Sequence, residues 1–131
     1  MRVVFDTNIF ISALVIPGSQ AEKAVVRIIE GKDVLLLSKG ILDELLTVLS
    51  TKFSRDKEEI SRVAVFLSET AERVEPAQKI KVLTDEPDNR ILECAVSGNA
   101  DAIVTGDKGL LRLRGYERIK IISLKEYLGE Q

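Results

Sequence analysis

The sequence contains no histidine and no tryptophan, and its single cysteine is Cys94. Without histidine, the catalytic triads and general bases that use it are excluded, as are the zinc sites built from cysteine and histidine. A lone thiol cannot form an internal disulfide, so the cysteine content gives no indication of an oxidising compartment. Most of the remaining chemistry belongs to carboxylates, and Cys94 is expected to be a small core residue.

Aromatic residues and long apolar runs are also scarce. Only 5% of the residues are aromatic, whereas 45% are hydrophobic, so we expect one aliphatic core in a single domain spanning residues 1–131. The apolar run at residues 9–16 contains Ser12 and stops at Pro17, which makes it too short for a membrane span or a signal peptide. Cytoplasmic residence with no membrane partner is the resulting expectation.

Neither sign of charge dominates the chain. The 19 basic and 21 acidic residues give a net charge of −2, which argues against nucleic-acid binding through a broad positive field. A local basic patch is still possible between residues 108 and 120, where Glu117 is the one acid. The basic residues there are Lys108, Arg112, Arg114, Arg118 and Lys120. This stretch could receive phosphates, with Lys108, Arg112 and Arg114 as the candidates, or it could be a solvated surface.

Short apolar runs alternate with longer amphipathic segments, which is typical of a parallel sheet covered by helices. Buried strands are predicted at residues 3–5, 34–37, 102–104 and 119–122, with a fifth at 80–83. Helices are predicted at residues 21–30, 39–51, 57–72, 89–97 and 124–128. The expected fold is α/β, a three-layer α/β/α sandwich with a central, mostly parallel sheet of four to five strands.

Two aspartates follow predicted strands at corresponding positions. Asp6 comes directly after residues 3–5, and Asp107 comes shortly after residues 102–104. Ligands of open parallel sheets bind beyond the carboxyl ends of the strands, so both aspartates are site candidates. Each could equally cap the helix that follows it. Asn8 and Thr105 are short polar neighbours that could orient a carboxylate or a metal-bound water, or could be ordinary turn residues.

Helical geometry adds Glu44 to these candidates. In the predicted helix at residues 39–51, Glu44 lies at the edge of the apolar sector, whereas Asp43 projects into solvent. Glu44 is one turn into the helix after the second strand, so its carboxylate can reach the same end of the sheet. The alternative is a boundary residue whose carboxylate extends to water.

Asp88 is the least ordinary of the four acids. It falls on the inward face at the start of the predicted helix at 89–97, whereas Glu93 points away from that face. A helix N-terminus favours a carboxylate, but burial is costly unless a cation or hydrogen-bond donors receive it. Helix capping is the rival explanation, although Asp85 or Glu86 could perform it.

Four carboxylates that converge cannot stay close and ionised unless a positive group lies among them. Hard oxygen ligands favour Mg²⁺ or Mn²⁺ over zinc, which prefers nitrogen and sulfur. Such ions activate water and stabilise the attacking and leaving oxygens in phosphodiester hydrolysis. Asp6, Glu44, Asp88 and Asp107 therefore predict a metal-dependent nuclease.

Four stretches of the chain, in this order and spacing, resemble the PIN domain family. They are residues 4–8 with Asp6, residues 38–49 with Glu44, residues 85–95 with Asp88 and residues 100–111 with Asp107. The resemblance covers residues 1 to about 128, and the order and spacing are similar to those of the single-domain, VapC-type toxins of prokaryotic toxin–antitoxin pairs.

The resemblance implies an endoribonuclease that depends on Mg²⁺ or Mn²⁺. The four acids match the acidic quartet of the family, and Asn8 and Thr105 match further positions of its site. It also implies an RNA substrate, a cognate antitoxin that masks the site, and a homodimer. Products of hydrolysis would carry 5′-phosphate and 3′-hydroxyl ends.

Two other classes stay open. An aspartyl-phosphate phosphatase or receiver-like domain would use Asp6 as a nucleophile beside Lys108, which leaves Glu44 and Asp88 unexplained. The second class is a non-catalytic PIN scaffold that serves as a binding or regulatory module. Loss of one quartet acid would be its signature, and none is lost.

Overall fold

Hydrophobic strands and amphipathic helices alternate through the computed structural model, which describes residues 1–129. The strands are β1 (Arg2–Phe5), β2 (Val34–Ser38), β3 (Glu72–Val74), β4 (Ala102–Val104), β5 (Gly115–Tyr116) and β6 (Ile119–Ile122). The helices are α1 (Thr7–Val15), α2 (Gln20–Ile29), α3 (Lys39–Thr51), α4 (Lys57–Thr70), α5 (Glu86–Ser97), α6 (Lys108–Leu113) and α7 (Leu124–Tyr127).

The strands form one mostly parallel sheet in the order β3-β2-β1-β4-β6-β5. Only β5 runs antiparallel, as the partner of β6 in a hairpin. In the central pair, Phe5 of β1 lies opposite Val104 of β4. The backbone ladder continues one residue further, because the N–H of Asp6 donates to the carbonyl of Val104 over 3.0 Å. The polar residues that follow β1 and β4 therefore emerge side by side at the carboxyl end of the sheet.

The α/β fold class predicted from the sequence is confirmed, and the core is aliphatic as expected. Val3, Val4, Leu36 and Ile103 on the central strands have no exposed surface. Cys94 on α5 is also fully buried, which confirms it as a core residue.

One predicted strand is wrong, and β3 and β5 were not predicted, so the sheet has six strands where four to five were expected. Residues 80–83 form no strand; they belong to an irregular segment that lies on α5. One edge of the sheet is instead formed by β3, which begins at Glu72, where the predicted helix at 57–72 was expected to end. This helix ends at Thr70. The sequence pattern of β3 does not indicate a strand, because β3 is a three-residue edge strand in which only Val74 is buried.

In the described residues, no single helix is long and apolar enough to cross a membrane. Helices α1 and α2 meet this criterion of length and composition only as a pair, and a bend of 102° separates them. Both helices contribute buried side chains to the core, including Ile9, Phe10 and Ala24.

Candidate active site

Thr105 connects two of the predicted acids. Its hydroxyl donates a hydrogen bond to Oδ2 of Asp6 over 2.7 Å and accepts one from the N–H of Asp107 over 2.9 Å. The Thr105 side chain is fully buried, and its bond to Asp6 is shielded from water. Thr105 therefore fixes the position of the Asp6 carboxylate relative to the turn that carries Asp107.

Asp6 and Asp107 also cap helices, as the alternative interpretation of the sequence allowed. Oδ1 of Asp6 accepts the N–H of Asn8 at the start of α1, over 3.4 Å. Oδ2 of Asp107 accepts the N–H of Leu110 at the start of α6, over 2.9 Å. Each carboxylate has further lone pairs, so capping and a role in a site are compatible.

Asp88 lies on the inward face of α5, as its position in the sequence predicts, and only 8% of the residue is exposed. Burial and the neighbouring carboxylates of Asp107, Asp85 and Asp6 raise the pKa of Asp88 to about 7. The pKa of Asp6 is also raised, mainly by burial, although the hydrogen bond from Thr105 partly opposes this. Asp6, Asp88 and Asp107, which we call the acid cluster, are thus close enough to influence one another.

Asp85 occupies the N-cap position of α5, yet its carboxylate makes no capping hydrogen bond. It contributes charge instead, since it is one of the groups that raise the pKa of Asp88. The two acids at this helix end therefore repel each other, and the capping explanation does not account for either carboxylate.

The structure places Glu44 beside the acid cluster and not within it. Glu44 is partly buried and lines a cavity of about 220 Å³ together with Thr7, Pro87 and Arg90. Thr7 follows Asp6 and Pro87 precedes Asp88, so the cavity adjoins the cluster along the chain. Arg90 is a member of this neighbourhood that the sequence analysis missed.

The other predicted site residues follow Asp6 or Asp107 along the chain. Asn8 is exposed, and its backbone contacts Asp6 while its side chain makes no hydrogen bond in the described part of the chain. Lys108 and Arg112 are exposed on α6, and Arg114 ends that helix with a left-handed backbone (φ 60°). Within residues 1–129 these three cations have no salt-bridge partner, so their charge is available to a ligand.

The donor chemistry of the cluster fits a hard divalent cation. Its oxygens come from three separate elements, and no salt bridge from the described residues reaches Asp6, Asp88 or Asp107. An oxygen-only donor set with uncompensated negative charge is what Mg²⁺ and Mn²⁺ prefer. Among residues 1–129, however, no three acidic or thiol side chains are already spaced to enclose one ion. The cluster has suitable ligands, but the side chains are not arranged as a closed cage.

Comparison with known proteins agrees with this architecture. The profile of the PIN domain family matches residues 2–109. The chain is 34% identical to the uncharacterized protein MJ1680 of Methanocaldococcus jannaschii over 132 positions, which cover 95% of this chain and 84% of that protein.

Two solved structures share the fold. One is VapBC2 from Rickettsia felis bound to a DNA fragment from their promoter, with a TM-score of 0.66, 19% identity, and coverage of 94% of this chain and 98% of that chain. The other is VapBC-1 from nontypeable Haemophilus influenzae, with a TM-score of 0.68, 20% identity, and coverage of 95% and 99%. The family profile, which matches most of the sequence, shows that this chain belongs to the PIN domain family, a family of nucleases.

Proposed function

We propose that this protein is an endoribonuclease that depends on Mg²⁺ or Mn²⁺ and acts in the cytoplasm as the toxin of a toxin–antitoxin pair. The observation that carries the proposal is the acid cluster, in which burial and repulsion raise the pKa of Asp88 to about 7. A buried group of like charges without a cation is costly, and such cost is tolerated mainly at functional sites. Membership of the PIN domain family supports hydrolysis of a phosphodiester.

Asp6, Asp88 and Asp107 are the side chains that would hold the ion. When bound there, a divalent ion would neutralise the carboxylates and make a water molecule more acidic. The chain prepares this site through fixed hydrogen bonds: Thr105 holds Asp6, and the N–H of Leu110 holds Asp107. Preorganised groups of this kind lower the cost of reaching the reactive geometry.

Glu44 is proposed to orient the attacking water. No salt bridge among the described residues neutralises its carboxylate, and the cavity that it lines adjoins the cluster. Water would add to phosphorus as the bond to the 3′ oxygen breaks, and the water proton would pass by way of Glu44 to solvent. The leaving 3′ oxygen takes up a proton, so the products carry a 5′-phosphate and a 3′-hydroxyl.

The test is cleavage of end-labelled RNA by the purified protein with Mn²⁺, Mg²⁺ or EDTA. Asp88→Asn should abolish metal-dependent cleavage, whereas Asp43→Asn, which changes an exposed acid paired with Lys39, should cleave like the wild type. Cleavage that survives Asp88→Asn would refute the assignment. Binding of RNA without cleavage by the wild type in any metal would favour the non-catalytic scaffold instead.

Lys108, Arg112 and Arg114 are proposed to contact the RNA backbone, because they lie within seven residues after Asp107 and have no salt bridge to any residue of 1–129. Replacement of Arg112 by Gln should raise KM and weaken the salt dependence of binding while kcat changes little. Replacement of Lys125, an exposed cation on α7, by Gln is the matched control and should leave KM unchanged. A salt dependence that is equal in all three proteins would remove Arg112 from the substrate path.

The partner proposed is an antitoxin protein, since the two solved structures described above are VapBC assemblies. A groove of about 480 Å³ between helices α1, α2 and α4 offers it an apolar surface. Leu14, Val26, Ile29 and Phe66 line this groove and are each exposed by more than a third. Exposed apolar surface of this kind is typical of protein interfaces, and a homodimer is the alternative occupant.

Light scattering of the protein, alone and mixed with the product of the gene adjacent to its own, separates these partners. We expect a stable complex with that product, lost in Val26→Glu, and a cleavage activity that the complex suppresses. Lys57→Glu, at the exposed start of α4, is the control and should bind normally. Self-association that Val26→Glu abolishes would assign the groove to the homodimer.

A further inference from the structure

Residues 75–85, which we call the strap, have no regular secondary structure and lie along one side of α5. Three side chains of this helix hold the strap by accepting its backbone N–H groups. Ser97 Oγ accepts from Ala77 over 2.9 Å and Glu93 Oε2 from Ile80 over 2.8 Å. Asn89 Oδ1 accepts from Leu83 over 2.9 Å, and Asn89 Nδ2 donates back to the carbonyl of Leu83 over 2.8 Å.

The spacing of these contacts is regular. Asn89, Glu93 and Ser97 are four residues apart, so their side chains lie above one another on one face of α5. Their strap partners are three residues apart and follow the opposite order along the chain. The strap therefore runs antiparallel to α5 and ends at the helix N-terminus, where it continues through Asp85 into the turn that carries Asp88.

The anchors nearest to that turn are the most deeply buried. Asn89 has no exposed surface and Glu93 is 4% exposed. Arg90 neutralises Glu93 with two hydrogen bonds of 2.8 Å and also pairs with Glu86. Buried polar groups that are fully paired define one backbone geometry, because any displacement leaves them unpaired.

The carboxylate of Asp88 needs such restraint because it lies among other carboxylates that repel it. The carboxylates of Asp107, Asp85 and Asp6 all repel its ionised form. Asp85 does not cap α5 with its side chain, and the backbone bonds at this helix end are long: the N–H of Asp88 and of Asn89 reach the carbonyl of Asp85 over 3.2 and 3.3 Å. The paired bonds of Asn89 to Leu83 are shorter, so they are the firmer connection.

We propose that Asn89 is a positioning residue for the candidate metal site: by clamping Leu83 of the strap, it keeps Asp88 aimed at Asp6 and Asp107. This inference rests on the proposed function, since the orientation of Asp88 affects metal binding only if Asp88 is a metal ligand. Asn89 touches neither substrate nor metal in this role. It acts as the outer partner of a ligand, and loss of such partners typically weakens metal affinity by about 10 to 100-fold.

The experiment measures Mn²⁺ affinity by titration calorimetry and exchange of the Leu83 amide hydrogen by NMR. Asn89→Leu keeps the number of side-chain heavy atoms and removes both bonds to Leu83, together with the longer bond of 3.4 Å to Glu86. It should weaken Mn²⁺ binding by about 10 to 100-fold, with faster exchange at Leu83. Ser97→Ala is the matched control, because it removes an anchor of the same strap at the far end of α5. We expect Ser97→Ala to bind Mn²⁺ like the wild type.

Asn89→Ser, which shortens the side chain and keeps it polar, replaces Asn89→Leu if circular dichroism shows that the latter is unfolded. Wild-type affinity in a folded Asn89 variant would overturn the positioning role and leave the proposed function intact. Equal weakening in Ser97→Ala would also overturn it, since the effect would then reflect general loosening of α5. A wild-type protein that binds no Mn²⁺ would overturn the proposed function and the positioning role together.

Discussion

Buried aspartates at the two ends of the sheet have opposite surroundings. At the amino end, Asp33 accepts hydrogen bonds from the Met1 ammonium over 2.7 Å, from Arg27 over 3.0 Å and from the Tyr127 hydroxyl over 2.5 Å. At the carboxyl end, Asp88 faces Asp107, Asp85 and Asp6. Both residues are less than a tenth exposed, so burial alone does not distinguish them.

The pKa values of the two groups differ in direction for this reason. Burial alone would raise the pKa of Asp33, but the Met1 ammonium, Tyr127 and Arg27 together hold it below its ordinary value of 3.8. Burial and like charges raise the pKa of Asp88 to about 7. A buried carboxylate whose partners compensate its charge stabilises the fold, whereas one that faces other carboxylates indicates a site for a cation.

The largest effect should come from a change within the acid cluster. Asp6→Asn should lower RNA cleavage by at least about 10³-fold, because it removes a charge that the proposed ion requires. The thermal midpoint in EDTA should stay equal or rise, since repulsion is relieved and the amide oxygen can still accept from Thr105. Cleavage assays and thermal melts check the two parts, and a folded variant that cleaves normally would exclude Asp6.

The reverse pattern is expected at the amino end. Asp33→Asn should lower the free energy of unfolding by about 1–2 kcal/mol, because the partly exposed Met1 ammonium and Arg27 lose the buried carboxylate charge that they bind. Cleavage per folded molecule should be unchanged, since Asp33 lies at the opposite end of the sheet. Urea unfolding and cleavage at low temperature test this pair of outcomes, and a loss of activity beyond the unfolded fraction would contradict it.

The sequence predicts the acid cluster because its features are local. Asp6 and Asp107 follow recognisable apolar strands, and helical periodicity alone turns Asp88 inward. Glu44 was placed at the correct end of the sheet, but its distance from the other acids depends on how α3 packs. A distance that is set by tertiary packing cannot be predicted from the periodicity of a single sequence.

The strand predicted within the strap is wrong because a buried apolar residue can pack against a helix as well as in a sheet. Ile80 was assigned to a strand for its apolar neighbours, but it is buried against α5, and its N–H is received by Glu93. Glu93 was correctly turned away from the sheet, yet it is buried because the strap covers it. Recognising the polar residues at positions 89, 93 and 97 as one helical face would have indicated a covering segment.

Glu44 gives a sharper comparison within one helix. Glu44→Gln should lower kcat by about 10 to 100-fold with little change in KM, if its carboxylate orients the attacking water. Asp43→Asn, one residue earlier and exposed beside Lys39, should have wild-type kcat and KM. Steady-state cleavage of one RNA substrate measures both variants. Equal kinetics in the two variants would place Glu44 outside the reaction, and a change in KM alone would make it a substrate contact.

The smallest effect concerns stability and pH in metal-free protein. Because the pKa of Asp88 is raised from 3.8 to about 7, its contribution to stability is complete below pH 3.8 and is lost as the pH rises to about 7. Asp33 acts in the opposite direction, since its lowered pKa favours the folded state above pH 3.8 and this contribution is lost in more acidic solution. Between pH 4 and 8 in EDTA, the wild type should therefore lose roughly 1–2 kcal/mol relative to Asp88→Asn, after allowance for solvent screening. Urea unfolding across this range measures the difference.

Saturating Mn²⁺ should reverse the slope of stability against pH for the wild type, because the ion displaces the proton, and should leave the stability of Asp88→Asn nearly unchanged. Parallel curves for the two proteins in EDTA would show that Asp88 is solvated in the folded state, and the contrast between the two ends of the sheet would then not hold.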